Sequence, residues 1–158
     1  MDTIGFASHD HAACIDGAVE TADADCRDRG LHLTPVRRRV LELLLREHRA
    51  QGAYEILAQL RDEGLGSQPP VAYRALDFLV RNGFAHRVER LNAFVACAHP
   101  GAHHTPAFLI CRACDGVAET AVDVSQSGIG GAARDAGFTI EATMVEATGL
   151  CPTCRAAA

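Results

Sequence analysis

Apolar residues recur along the first half of the chain at helical spacing, and start and stop signals bound most of the runs. Residues 14–29 carry a weak form of this pattern and predict a first helix. Thr34-Pro35 marks a stronger start, a hydroxyl N-cap followed by proline at the first helical position. Val36, Val40, Leu43 and Leu44 then share one face. A further helix is expected from about Ala53, with Ile56, Leu57 and Leu60 inward and Gly64 at its end. After the loop 64–68, Pro69 and Pro70 open another helix. Its buried stripe is read as Val71, Ala75, Phe78 and Leu79, and its outer face as Tyr73, Arg74, Asp77 and Arg81. Asn82-Gly83 closes it.

The period then changes. Phe84–Glu89 and Ala93–Cys97 read as strands joined by a turn around Leu91-Asn92. Three compact helices followed by a hairpin predict a winged helix-turn-helix, whose last helix is shaped to enter a major groove. The other reading is a small helical domain with an incidental hairpin. Residues 98–106 form a polar linker. Beyond it the pattern predicts a strand (Ala107–Cys111), a knuckle, a helix (about Val122–Ala136) and a strand (Phe138–Ala147) ending in a second knuckle. The expected fold class is α+β, with the winged helix first and a small α/β unit second.

Charge sharpens this division. The net charge of −5 argues against nucleic-acid binding only if it is spread evenly, and it is not. Residues 1–26 hold six acids and no base, residues 27–90 hold twelve Arg against eight acids, and residues 91–158 hold three Arg against six acids. A basic middle between acidic ends suits one phosphate-facing module, although an ordinary solvated helix surface would look the same. No apolar run approaches the roughly 20 residues of a membrane span, and the N-terminus lacks a secretory pattern, so a cytoplasmic protein is expected. In a reducing compartment the seven cysteines point to metal or redox chemistry more than to disulfides.

Four of them form two C-x-x-C pairs, Cys111/Cys114 and Cys151/Cys154. Each pair places two sulfurs on one tight turn, and two turns complete the thiolate tetrahedron that structural zinc favours. Such a site has no open position for catalysis. A rubredoxin-like iron site uses similar pairs. Cys151-Pro-Thr-Cys154 also resembles a redox turn, but so close to the C-terminus no following helix is expected.

A second group is mixed: His86 on the first hairpin strand, Cys97 ending the second, His104 in the linker and Glu119 after the first knuckle. Alone it is a scatter of ordinary residues. The segments LTPVRRRVLELL, AYEILAQL, PPVAYRALDFLVRNGFAHRVE, HHTPAFLICRACDGVAE and GLCPTC together resemble the ferric-uptake-regulator superfamily, and within it the zinc-uptake-regulator branch, over about residues 26–154. The resemblance implies an N-terminal winged-helix DNA-binding domain (1–97, with 1–13 as an arm), a linker (98–106) and a C-terminal dimerisation domain (107–158). It implies two zinc ions per chain: a structural one on Cys111, Cys114, Cys151 and Cys154, and a regulatory one on His86, Cys97, His104 and Glu119. His103 is the alternative to His104, because the linker is one residue shorter than in similar proteins. A thiolate among the ligands favours zinc over iron.

The resemblance further implies a homodimer that represses zinc-uptake genes from a pseudo-palindromic double-stranded operator, without membrane or small-molecule substrate. Tyr54 and Arg74 look like the family's base-contacting residues, and Tyr73, beside them on the recognition helix, joins them as a DNA-binding candidate. Where relatives read Thr-Val-Tyr-Arg, this chain has Val71-Ala72-Tyr73-Arg74, so one hydroxyl is lost. Arg74 suits bidentate pairing with guanine, or else an i, i+3 pair with Asp77. Arg37, Arg38 and Arg39 are expected on phosphates. His9, Asp10, His11 and Cys14 are an auxiliary metal candidate, and Cys26 is expected to be a packed thiol. Two rivals stay open: a related regulator of iron, manganese or peroxide, and a zinc-dependent or thiol enzyme. Against the enzyme, the chain has no H-E-x-x-H helix and no nucleophile elbow.

Overall fold

The computed structural model describes residue 6 and residues 11–47, 49–101 and 104–157. Four helices come first: α1 (His11–Asp28), α2 (Pro35–Arg46), α3 (Ala53–Asp62) and α4 (Pro69–Arg81). Thr34 caps α2 by accepting the Arg37 N–H, with Pro35 at the first position as the sequence predicts. At the far end of α4, Gly83 sits at φ +82°, and Phe84 N–H reaches back to the Leu79 carbonyl at 2.8 Å. That left-handed residue turns the chain directly into the hairpin.

Strands β1 (Ala85–Val88) and β2 (Ala93–Ala96) pair antiparallel, joined by a 3-10 turn over Glu89–Leu91 and by Asn92 in the left-handed region. The strap between α2 and α3 joins them. Gln51 exchanges two backbone hydrogen bonds with Phe94, at 2.9 and 2.8 Å, while its buried side-chain amide donates to the Leu43 carbonyl at 2.6 Å. Helices and hairpin share one apolar core, which includes Leu43, Leu44, Ile56, Leu60, Leu76 and Leu79. These elements make the winged helix-turn-helix expected.

The C-terminal part is a three-stranded sheet in the order β4-β3-β5: β3 (Thr105–Cys111) is antiparallel to β4 (Val117–Val122) and parallel to β5 (Val145–Gly149). Helix α5 (Gly128–Asp135) links β4 to β5, and α6 (Pro152–Ala156) ends the chain. A second cluster, Val88 and Val95 from the hairpin with Phe108, Ile110 and Val117 from the sheet, seals the two parts together.

The structure corrects the pattern in several places. Helix α1 begins at His11, three residues before the expected start. On α4 the buried residues are Ala72, Ala75, Leu76 and Leu79, with Val71 and Phe78 half-buried, because the inward face is centred one residue further on. Strand β4 fills the stretch between the first knuckle and the expected helix, and that helix, expected from about Val122, begins only at Gly128. Tertiary pairing with β3 decides this, since Val-Ala-Glu-Thr-Ala-Val has no decisive period of its own. The expected last strand is irregular until Val145. A short helix does follow the C-P-T-C turn.

Candidate metal centres and nucleic-acid interface

Each C-x-x-C pair sits where a strand gives way to a turn. Cys111 ends β3, and the knuckle after it closes with Asp115 at φ +58° donating its N–H to the Cys111 carbonyl at 3.0 Å. Cys151 caps α6, its sulfur accepting the Cys154 N–H at 3.4 Å. The parallel register of β3 and β5 sets Cys111 beside Gly149, which brings the knuckles together. The four sulfurs lie within 4.8 Å of one another, with Cys114 and Cys151 3.9 Å apart. A tetrahedron with ligand bonds of ~2.3 Å has edges of about 3.8 Å, so the cage is the size zinc requires. That spacing is also far beyond a disulfide's ~2.05 Å.

Charge within the cage is uneven. Backbone N–H groups of Cys151, Ala113 and Cys114 aimed at Cys111 hold its thiol down to about 6. Cys154, crowded by the Cys151 and Cys114 thiols, is pushed up to about 12. Four thiolates cannot coexist here at neutral pH without a cation among them.

The mixed site lies at the seam between hairpin and sheet. His86 comes from β1, Cys97 follows β2, His104 precedes β3, and Glu119 is in β4 directly across from Phe108. One ligand atom from each falls within 4.8 Å of the others. Glu119 Oε1 is 2.7 Å from His104 Nε2 and 3.2 Å from His86 Nε2, and Cys97 Sγ is 3.8 Å from His104 Nε2 and 4.0 Å from Glu119 Oε1. His86 Nε2 is buried, and its approach to the carboxylate lacks hydrogen-bond geometry. A buried ring nitrogen left without a partner is costly, and a cation in the cage would take its lone pair. Sequence alone missed the supports. The Ala98 N–H donates to Glu119 Oε2 at 2.8 Å, leaving Oε1 as the free ligand atom. The Phe108 and His99 rings pack 5.7 Å from His86 and 5.9 Å from His104. The one signal in the sequence was the β3–β4 register, legible only once β4 is recognised.

Burial raises the Glu119 carboxyl, but the nearby His86 ring and hydrogen bonds with the Ala98 N–H and His104 more than offset it and hold the group below its ordinary value. The Cys97 thiol is pushed up to about 12, first by burial and then by the Glu119 charge. Cys97 therefore keeps its proton at neutral pH until a metal displaces it. Zinc affinity at this site should accordingly fall at least about tenfold per pH unit as pH drops from 8 to 6.5, each bound ion expelling this proton. Competition against a chelator of known pH response measures it. An affinity flat across that range would exclude thiolate ligation.

Of the other candidates, His103, His9 and Asp10 lie outside the described residues, as does the side chain of His11. Cys14 is exposed on α1, while Cys26 is packed in the core as expected.

The outer face of α4 meets α3 in an exposed aromatic pair: Tyr54 and Tyr73 are 69% and 44% exposed, with rings 6.5 Å apart and near perpendicular. Arg74 is exposed beside them and pairs with no acid among the described residues, so the alternative with Asp77 is not realised. The arginine run of α2 also makes contacts within the protein. Arg39 is bound at both ends by Glu42 and Glu63, at 2.6 to 2.7 Å, and Arg38 pairs with Asp23. Arg37 donates to the His32 carbonyl and stacks 3.8 Å over the Phe78 ring. These contacts brace the helices, and only Arg39 is fully matched by acids.

No family model matches the chain. It is 37% identical over 134 residues to the zinc uptake regulation protein of Escherichia coli (strain K12), across 84% of this chain and 78% of that one. Among solved structures it is similar to a zinc uptake regulator complexed with zinc and DNA, with TM-score 0.84 and 35% identity over 90% of this chain and 96% of the other. The crystal structure of holo XcZur gives TM-score 0.79 at 41% identity, over 89% of this chain and 99% of that one.

Proposed function

The chain belongs to the zinc uptake regulation protein family, and on that premise we propose that it is a cytoplasmic, zinc-responsive repressor of zinc-uptake genes. It acts as a homodimer on a pseudo-palindromic operator. One observation carries the reading: the mixed cage draws His86 and Cys97 from the hairpin, Glu119 from the sheet and His104 from the segment between them. An ion held by all four ties the winged helix (residues 1–97) to the sheet unit (residues 107–158) in one arrangement. It shifts the population only as far as it binds that arrangement better.

The ion supplies a divalent charge and four directed bonds; the protein supplies the rest. Cys97 gives up its proton, Glu119 stays ionised, and the Ala98 N–H fixes which carboxylate oxygen faces inward. Two neutral imidazoles, one thiolate and one carboxylate match the charge of Zn²⁺, and a thiolate disfavours the hard iron or manganese alternatives. The four-cysteine cage is the second, permanent zinc site, which makes two ions per chain and four per dimer. With all four positions taken by protein, neither ion has room for a substrate, which disfavours the enzyme reading. The exposed apolar residues Leu109, Ile129, Phe138, Met144 and Val145 on the sheet unit are the surface we assign to the partner protomer.

The test is a gel shift on operator DNA with free zinc buffered across a wide range. Tight binding should appear only above a threshold of zinc, with about one metal per chain surviving mild chelation. Tyr54, Tyr73 and Arg74 form the reading surface. Arg74→Ala should weaken operator binding about 5- to 150-fold, while binding to random DNA changes far less. An equal loss on both would reduce Arg74 to a phosphate contact.

A further inference from the structure

Away from both cages, the hairpin is attached to the sheet at a second point. Glu146 lies in β5, paired in register with Phe108, and its carboxylate reaches across to the turn between β1 and β2. Oε1 accepts the Glu89 N–H at 2.6 Å and Oε2 accepts the Arg90 N–H at 3.0 Å. These are the first two residues of the 3-10 turn, whose N–H groups have no partner within the turn itself. A carboxylate taking two adjacent N–H donors makes charge-assisted bonds in a fixed orientation. The mixed cage holds the hairpin near His86 and Cys97, and Glu146 holds it at the turn. The apolar cluster of Val88 and Val95 against Phe108, Ile110 and Val117 also joins hairpin to sheet, but its contacts are non-directional, and the two directed attachments set the angle.

We propose that Glu146 is a positioning residue: by clamping the hairpin turn to β5 without metal, it sets the free-zinc concentration at which the mixed site fills. The argument rests on the proposed function only in taking the mixed site for the responsive one. The cage is complete only when hairpin and sheet are docked, so its apparent affinity scales with the docked fraction of the metal-free protein. Removing the clamp lowers that fraction and leaves the four ligands untouched. The clamp therefore moves the threshold, while the final zinc-loaded arrangement stays available.

The experiment uses the full-length protein with its tightly held metal in place. Zn²⁺ is buffered by a chelator, and filling of the weaker site is followed without DNA. In Glu146→Ala the half-filling concentration should rise about tenfold, the factor of one ordinary charged hydrogen bond. Retention of the tightly held metal and the unfolding midpoint should stay near wild type. The Glu89 donor can be tested apart from any side chain. Val88 is extended (φ −93°, ψ 104°), so a proline fits after it, and against Glu89→Ala, which likewise loses the carboxylate near Arg87, it isolates the N–H. Glu89→Pro should raise the threshold, Glu89→Ala should not, and Glu89→Pro added to Glu146→Ala should change little further. Half-filling of Glu146→Ala at the wild-type concentration would overturn the clamp, as would equal thresholds for Glu89→Pro and Glu89→Ala. Loss of the tightly held metal in Glu146→Ala would reduce the residue to a structural support. A separate DNA arm on the wild type tests the underlying reading: operator binding indifferent to zinc would sink the proposed function, while the filling curves would still judge the clamp.

Discussion

Replacing Cys97 with alanine should yield a folded protein that keeps one metal per chain and binds operator DNA no more tightly with zinc than without it. The thiolate is the only sulfur in the mixed cage, and no other cysteine sits among its ligands. Loss of an outer hydrogen bond around a metal costs ~10–100-fold in affinity, so loss of a ligand should exceed that range. The fold should tolerate the change, because alanine removes one sulfur from a site the core can bridge at a cost of about 1 kcal/mol. Glu119→Ala should act in the same direction and additionally strand the Ala98 N–H. Zinc titrations read by gel shift, beside thermal unfolding, separate the two effects. A variant that still responds to zinc within threefold of wild type would show that Cys97 is not a ligand.

Cys151→Ser should do something different in kind: the sheet unit should lose its cooperative fold, and with it the dimer. That unit has few fully buried apolar side chains, and its outer face is open in the protomer. A core so thin depends on its metal staple. A structural zinc contributes ~10–16 kcal/mol of apparent folding free energy, against a whole-domain stability of ~5–15 kcal/mol. Cys151 is also the joint of the cage, since its N–H donates to Cys111 Sγ at 3.3 Å and its sulfur caps α6. Circular dichroism and size-exclusion chromatography would read the loss. A Cys151→Ser protein that melts as wild type and stays dimeric would leave the four-cysteine cage without a structural role.

Much of this was legible along the chain. The winged helix was announced by signals that act locally: Thr34-Pro35 at one helix start, Pro69-Pro70 at another, Asn82-Gly83 at a stop. The two C-x-x-C pairs carry their own turn geometry, so their meeting needed only a fold that places the turns together. Strand β4 was missed because its identity is set by β3, and a six-residue run whose alanines stand second and fifth offers no period to read. The inward face of α4 was misjudged by one position: Ala72 is too small to mark a stripe, and the larger Val71 and Phe78 drew the reading away from Leu76. The mixed cage drew on a family resemblance, since ligands spread over 34 positions have no spacing rule. Glu146 lay beyond any such reading, because its partners are backbone N–H groups, which every residue but proline offers.

The Gln51–Phe94 hydrogen bonds have a consequence for how an operator is measured. They weld the strap between α2 and α3 to the second hairpin strand, and Gln51 anchors the weld to Leu43 inside the helical core. With α4 sharing that core and turning directly into β1 through Gly83, α4 and the hairpin swing together as a single jaw. In the proposed dimer the links to the sheet unit then set the distance and angle between two such jaws, and nothing within either jaw. Changes of metal should then alter which spacing between half-sites is accepted, while the bases preferred within each half-site stay the same.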